Sequence, residues 1–358
     1  MSIVHRRRRV LAATLAALLG CTGLRAEVGV TDAPKGVVVN PRSGKAYAVF
    51  PDLGVVRIID AAGKAKTLAT GANVKSLSFD PRNGRVYAMN RGPGTVSVID
   101  PDSDAVVETL PASRGSLTAL NPATNKLYVS ASTGTDPSVI DLATKQVTVI
   151  KAGTEGNSLS VNVRQNKVYF VGYEDNFLTI VDGATNQSTR LEVPGWHQWE
   201  SAFNEKTDML YLPSPNDNMV TAIDTRTNTV STIGVGDAPM AAAVDVVTNR
   251  VYVVNYGSSD VTVIDGNTNR PIATVPVGLW PQQLAVNART NTVYVVNTHA
   301  DSVSVIDGRT NRVKATLPTS RGPWAIAVDA ERDRAYVANR LTDRVTVIDG
   351  KTLTATER

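Results

Sequence analysis

The sequence predicts an all-β protein, a β-propeller of eight four-stranded blades, and three linked periodicities predict it. A tyrosine recurs at Tyr47, Tyr87, Tyr128, Tyr169, Tyr211, Tyr252, Tyr294 and Tyr336, at intervals of 40 to 42 residues. Thirteen positions after each stands an aspartate: Asp60, Asp100, Asp141, Asp182, Asp224, Asp265, Asp307 and Asp349. Seven positions before each stands Asn or Asp: Asn40, Asp80, Asn121, Asn162, Asn204, Asp245, Asn287 and Asp329. A period of about 40–45 residues with some four short strands marks a propeller blade, because one such unit cannot bury its own apolar face without neighbours. All eight units carry their first three strands, so eight blades is preferred to the alternative of seven, which would leave one unit stranded.

In chain order, residues 1–26 read as an export signal and 27–358 as a single propeller domain. Arg6–Arg9 form a positive head, Val10–Leu19 a short apolar stretch, and 20–26 a tail of mostly small residues. That stretch is too short to span a bilayer. A periplasmic or secreted location is expected, by general rather than twin-arginine export. Leu18-Leu19-Gly20-Cys21 resembles a bacterial lipobox, so the alternative is a lipid anchor on Cys21, the one cysteine; otherwise cleavage follows Ala26. Either way the propeller has no disulfide and no transmembrane helix is expected in the mature chain. The chain holds 37 Lys+Arg against 33 Asp+Glu, but Arg6–Arg9 and Arg25 precede residue 27 and no acid does. The exported part is therefore nearly neutral, and the basic balance is no argument for nucleic acid or an anionic membrane.

Within a unit, alternating Val, Ile, Tyr and Thr form the strands and Asn, Asp, Gly and Thr the turns. The seventh unit predicts strands at Gln283–Asn287, Thr292–Asn297, Ser302–Asp307 and Val313–Pro318. The recurrent Asn and Asp are assigned to Asx turns, in which the side chain accepts from backbone N–H groups one turn on, rather than to a metal array. Nine positions before each tyrosine stands a small residue (Ser78, Ala119, Ser160, Ala202, Ala243, Ala285, Ala327), Val38 excepted; crowding near the axis is the expected reason. Glu27–Lys35 aligns with Thr232–Met240, so the N- and C-terminal strands are expected to close the ring, removing an exposed sheet edge.

Tyr252-Val-Val-Asn255, Tyr294-Val-Val-Asn297, Tyr336-Val-Ala-Asn339 and the Val-Ile-Asp-Gly-x-Thr turns at 263–268, 305–310 and 347–352 resemble the YVTN family of β-propeller repeats. The resemblance covers essentially all of 27–358 and implies fold more than activity.

In a repeat protein the residues that break the period are the candidates for function. The connections between blades and the loops between second and third strands share one face. All four tryptophans, Trp196, Trp199, Trp280 and Trp324, fall in or beside those connections. Twelve positions before the tyrosines, at the channel mouth, stand Lys35, Lys75, Ser116, Asn157, Trp199, Met240, Gln282 and Trp324. Arg114 and Arg321 open two connections; Arg91, Tyr173, Tyr256, His299 and Arg340 lie in the other loops. The candidate ligand-binding rim is therefore Trp196, His197, Trp199, Glu200, Trp280, Trp324, Arg114, Arg321, Lys35, Lys75 and His299. Aromatic rings beside Arg and His supply apolar area with polar tips; the competing assignment is that each tryptophan plugs a gap between blades.

No nucleophile elbow, phosphate loop or paired-histidine motif is present, and no catalytic residue, metal or cofactor is assigned. The first expectation is a non-catalytic, monomeric binding propeller that recognises an envelope protein, peptide or glycan. Two alternatives remain. One is an axial enzyme or tetrapyrrole site, as in streptogramin-lyase-like, gluconolactonase-like or cytochrome d1-like propellers, using His197 with Glu200, or His299. The other is single-stranded nucleic acid stacked on Trp199 and Trp324, its phosphates met by Lys35, Lys75, Arg114 and Arg321.

Overall fold

A computed structural model describes residues 36–132, 136–152, 156, 158–172, 176–195 and 200–358. Among these, 32 strands form eight four-stranded antiparallel sheets, each ordered in sequence from inner to outer strand. The inner strands are Val37–Asn40, Val74–Phe79, Thr118–Asn121, Ser158–Asn162, Ala202–Asn204, Pro239–Asp245, Pro281–Asn287 and Pro323–Asp329, and define blades 1 to 8. The seventh blade runs Pro281–Asn287, Thr292–Asn297, Ser302–Asp307 and Arg312–Pro318, within two residues of expectation at every boundary. Among the described residues no helix is long and apolar enough to cross a membrane.

The hydrophobic core is not one mass but eight slabs, each shared by two neighbouring blades. An open arc of eight blades would have seven seams; the eighth, joining Ala325, Tyr336 and Ala338 of blade 8 to Ala46, Ala48 and Phe50 of blade 1, closes the ring. The outer strand of the last blade is the C-terminal Thr354–Glu357, paired with Arg344–Asp349. The N-terminal share of the expected closure, residues 27–35, lies outside the described residues.

A polar staple repeats across the seams. The basic residue two before the tyrosine donates to the carbonyl just after the periodic aspartate of the next blade: Lys45 to Pro101 at 2.6 Å, Lys126 to Gly183 at 2.5 Å and Arg250 to Gly308. Arg334 makes the same bond to Ala61 at 2.6 Å, from the last blade to the first.

Every periodic tyrosine is buried. Each lies directly opposite the inner-strand residue nine positions before it, small in every blade but the first (Val38↔Tyr47), as in Ala285↔Tyr294 and Ser78↔Tyr87. The small residue therefore answers the ring facing it as well as crowding near the axis. Burial pushes the phenols of Tyr128 and Tyr211 up to about 12.

The aspartates and asparagines fold onto backbone as expected. Asp141 accepts from Ala143 and Thr144 N–H at 2.9 and 3.0 Å, and Asp349 from Lys351 and Thr352 at 2.9 Å each. Those backbone bonds hold the Asp141 and Asp349 carboxyls below the usual range. Among the described residues no group of three or more His, Cys, Asp or Glu could hold a metal.

Candidate functional site

The rim is built by one backbone device repeated in blades 2, 6, 7 and 8. The last residue or two before the inner strand turns into the left-handed region, at Asn73 (φ 58°), Ala238 (50°), Trp280 (53°) and Gly322 (69°). Its carbonyl accepts from the first N–H of that blade's second-to-third-strand loop: Arg91 to Asn73 (3.1 Å), Tyr256 to Ala238 (2.9 Å), Thr298 to Trp280 (3.1 Å) and Arg340 to Gly322 (2.8 Å). Two residues on, the inner strand is bulged, leaving Lys75, Met240, Gln282 and Trp324 outside the ladder. A bulge re-aims side chains. In these four blades the residue twelve before the tyrosine is thus the bulged one, which a ladder drawn by alternation would not show.

Asn and Gly tolerate the left-handed conformation; a bulky aromatic in it costs about 1 kcal/mol or more. Trp280 occupies the position that Gly322 and Asn73 hold in sister blades. Its ring lies 5.1 Å from the Tyr256 ring, nearly parallel, and 4.2 Å from the imidazole of His299. His299 and Leu279 are exposed, and Trp280 and Tyr256 half-buried; burial raises the Tyr256 phenol. Trp280 belongs to none of the eight core slabs, so this cluster is surface chemistry supported by the fold.

Trp324 behaves differently. It packs against the slab between blades 8 and 1, with the Arg340 guanidinium 5.6 Å from its ring centre. It is partly the inter-blade plug and partly the floor beneath a cation. Lys75 of blade 2 is buried at the same mouth: burial lowers its pKa, Asp52 opposes that shift, and Arg340 adds to it. The crevice beside them, lined by Phe50, Asp52, Arg340 and Asp343, holds only about 10 Å³, room for one water at most.

Glu200 is tied to the inner strand of the next blade. Its backbone bridges in parallel to Ala241 of the next inner strand, through Glu200 N–H to Met240 O and Ala242 N–H to Glu200 O, both 3.2 Å. Its carboxylate accepts from Gln283 Nε2 at 2.6 Å, and Gln283 Oε1 accepts from Ile326 N–H at 3.2 Å. That chain links blades 5, 7 and 8. Beside it is a cavity of about 180 Å³ lined by Ser76, Leu77, Leu117, Thr118, Ser158, Leu159, Glu200 and Ser201.

The described part of the predicted rim thus separates into three places. Trp280 and His299 meet; Trp324 and Lys75 share the mouth with Arg340; Glu200 lies inside the channel. Arg114 and Arg321 are exposed on their connections. Lys35, Trp196, His197 and Trp199 lie outside the described residues, and with them the His197–Glu200 pair. Gln283, Asp52 and the channel hydroxyls were missed by sequence reasoning. The signal for the hydroxyls was available: small residues at the inner strand are Ser in blades 2 and 4 and Ala in blades 6, 7 and 8.

No family model and no curated protein matches this chain. Solved structures do. Dihydro-heme d1 dehydrogenase NirN in complex with DHE is 15% identical, with a TM-score of 0.72 over 96% of this chain and 82% of that one. The hydrazine synthase of Kuenenia stuttgartiensis is 13% identical, with a TM-score of 0.59 over 92% of this chain and 99% of that one. At such identity the likeness is one of fold, the eight-bladed propeller.

Proposed function

We propose that this chain is an exported, non-catalytic binding propeller of the YVTN type, acting as a monomer and recognising an envelope protein, peptide or glycan on its aromatic rim. The observation that carries this reading is Trp280. A tryptophan held in a left-handed conformation, where the sister blades use the small or turn-favouring Asn73, Ala238 and Gly322, and outside every core slab, is retained for its ring rather than for folding. Tyr256 and His299 fix that ring's position, and exposed Leu279 extends the apolar area.

The test is capture from envelope extract by the wild-type chain and by Trp280→Ala, Trp324→Ala and Arg321→Ala, each checked for folding by urea titration. A partner captured by the wild type and lost with Trp280→Ala at unchanged stability supports the reading. Undiminished capture by all three variants refutes it.

A second reading is a tetrapyrrole ligand, favoured by the likeness to a structure solved with DHE over nearly the whole chain. Lys75 and Arg340 could meet its carboxylates at the mouth, with His299 on the rim. The fit inside the channel is poor: the cavity of about 180 Å³ is smaller than the roughly 300–1,000 Å³ of ordinary cofactor pockets. A coloured purified protein, or a Soret band on adding haem that His299→Ala removes, would favour this second reading over the first. Single-stranded nucleic acid remains the third; its binding would weaken steeply with salt.

A further inference from the structure

The residue just before the left-handed turn is exposed in each of the four blades that use it, and its chemistry changes around the ring. It is Ala72 entering blade 2, Asp237 entering blade 6, Leu279 entering blade 7 and Arg321 entering blade 8. Three successive blades therefore set an acid, an apolar side chain and a base at one repeated position. The loop beside it holds that position in blades 6 and 8: Gly257 N–H donates to Asp237 O at 2.9 Å, and Leu341 N–H to Arg321 O at 3.3 Å. The Asp237 carboxylate accepts from the amide of Asn218 at 3.1 Å, a neutral donor that leaves its charge in place. On the other side, the carboxylate of Asp301 in blade 7 is taken up by Gly322 N–H at 2.8 Å.

We propose that this arc of the rim docks an extended peptide segment with a basic residue towards one end, an apolar residue in the middle and a carboxylate towards the other. The inference deepens the rim reading and rests on it: Trp280 is the shared anchor, and what is added is the class of ligand and the direction in which it lies. Trp280, its ring fixed by Tyr256 and His299, joins Leu279 in offering the apolar area, and buried aromatic anchors supply most of the affinity at an interface. Asp237 and Arg321 are exposed, and exposed ion pairs contribute little affinity. Their part is orientation, because placing like charges together penalises the reversed ligand. A neutral glycan would leave both charges unanswered. A nucleic-acid strand, anionic throughout, would meet Asp237 with repulsion. A peptide carries both signs on one backbone, with apolar side chains between them.

Phage display on the purified, immobilised chain tests it, with a library of random peptides of about twelve residues, roughly 40 Å long when extended. The expected result is enrichment of sequences with Lys or Arg, an aromatic or large apolar residue, and Asp or Glu, always in the same order along the peptide. By fluorescence anisotropy, an enriched peptide should bind about thirtyfold more weakly to Trp280→Ala. It should bind about fivefold more weakly to Arg321→Glu, a loss that shrinks in about 0.5 M salt. The double variant Asp237→Lys with Arg321→Glu should prefer the peptide whose two charges are exchanged, at an unchanged urea midpoint. No common enriched sequence, an enriched sequence without the two charges, or a double variant that keeps its preference for the original peptide would overturn the proposal. Envelope capture that still depends on Trp280 would then leave the rim reading standing, whereas capture indifferent to Trp280 would overturn both.

Discussion

Blades 6, 7 and 8 and blades 3, 4 and 5 share one period but finish it differently. In the first group the residue three after the tyrosine is a buried asparagine: Asn255, Asn297 and Asn339. Each donates from Nδ2 to a third-strand hydroxyl, Thr262 at 2.8 Å, Ser304 at 2.9 Å and Thr346 at 2.8 Å. The connecting glycine lies against that amide in two of them; a Cβ on Gly278 would stand 2.6 Å from the Asn297 amide. In the second group the same position holds Ala131, Gly172 and Ser214, and a hydroxyl takes over: Ser130 Oγ accepts from Ser116 and Leu117 N–H at 3.2 and 3.0 Å. The asparagine standardises the connection, and on that fixed platform the rim presents Trp280, Trp324 and Arg340. Hydroxyl contacts between inner strands instead run through blades 2 to 5, at Ser76, Ser78 and Thr118 and at Ser158, Ser160 and Ser201, with blade 2 keeping the asparagine as Asn90. One repeat thus yields a surface at one side and a cavity at the other.

The largest expected effect tests what the two groups share. Buried tyrosines run through all eight blades, and an unfolded chain releases phenolic protons from about pH 10. The folded chain retains them at Tyr128 and Tyr211 until about 12. The unfolded state then binds fewer protons, so stability is intact below pH 10 and falls as pH rises through that window. Circular dichroism should show one cooperative alkaline transition for both groups; two separated transitions would show that the blades do not form a common core. The turn aspartates act in the opposite sense: their depressed pKa values give stability present above about pH 4 that is lost as pH falls.

The next effect separates the groups. Asn297→Ala removes a buried amide bonded to Ser302 and Ser304 and should cost about 2 kcal/mol in urea unfolding. Ser214→Ala, at the matching position of blade 5, should cost less than about 1 kcal/mol. Equal losses would break the distinction.

Trp280→Asn should be near neutral, within about 1 kcal/mol, because relief of the left-handed strain offsets the lost ring contacts. Capture of the rim partner should nevertheless vanish. A loss of several kcal/mol would reassign Trp280 to packing.

The smallest effect lies in the tyrosine belt. Tyr211 donates to Asn269 Oδ1 at 2.7 Å, so Tyr211→Phe should cost about 1 kcal/mol. The Tyr128 hydroxyl has no hydrogen-bond partner among the described residues, so Tyr128→Phe should change the urea midpoint little.

The blade count, the strand boundaries and the Asx turns were legible because they are local: each depends on residues within one period, and eight copies average out the drift of any one. The seam staple was legible in principle, since a basic residue stands two before the tyrosine at Lys45, Arg85, Lys126, Lys167, Arg250 and Arg334. Its acceptor is a backbone carbonyl in another blade, which no side-chain pattern marks. The candidate site was legible only as a set of exceptions. Trp280 and Trp324 looked alike in the sequence, yet one stands on a left-handed turn between two rings and the other packs on a seam.

By itself the sequence determined the repeat and its strands, because hydrophobic alternation and turn chemistry act over a few residues. Tertiary structure alone decided the bulge that re-aims Lys75, Gln282 and Trp324, and the meeting of Glu200 with Gln283, 83 residues apart. Such contacts come into being only when the ring closes and brings non-adjacent blades together around one axis.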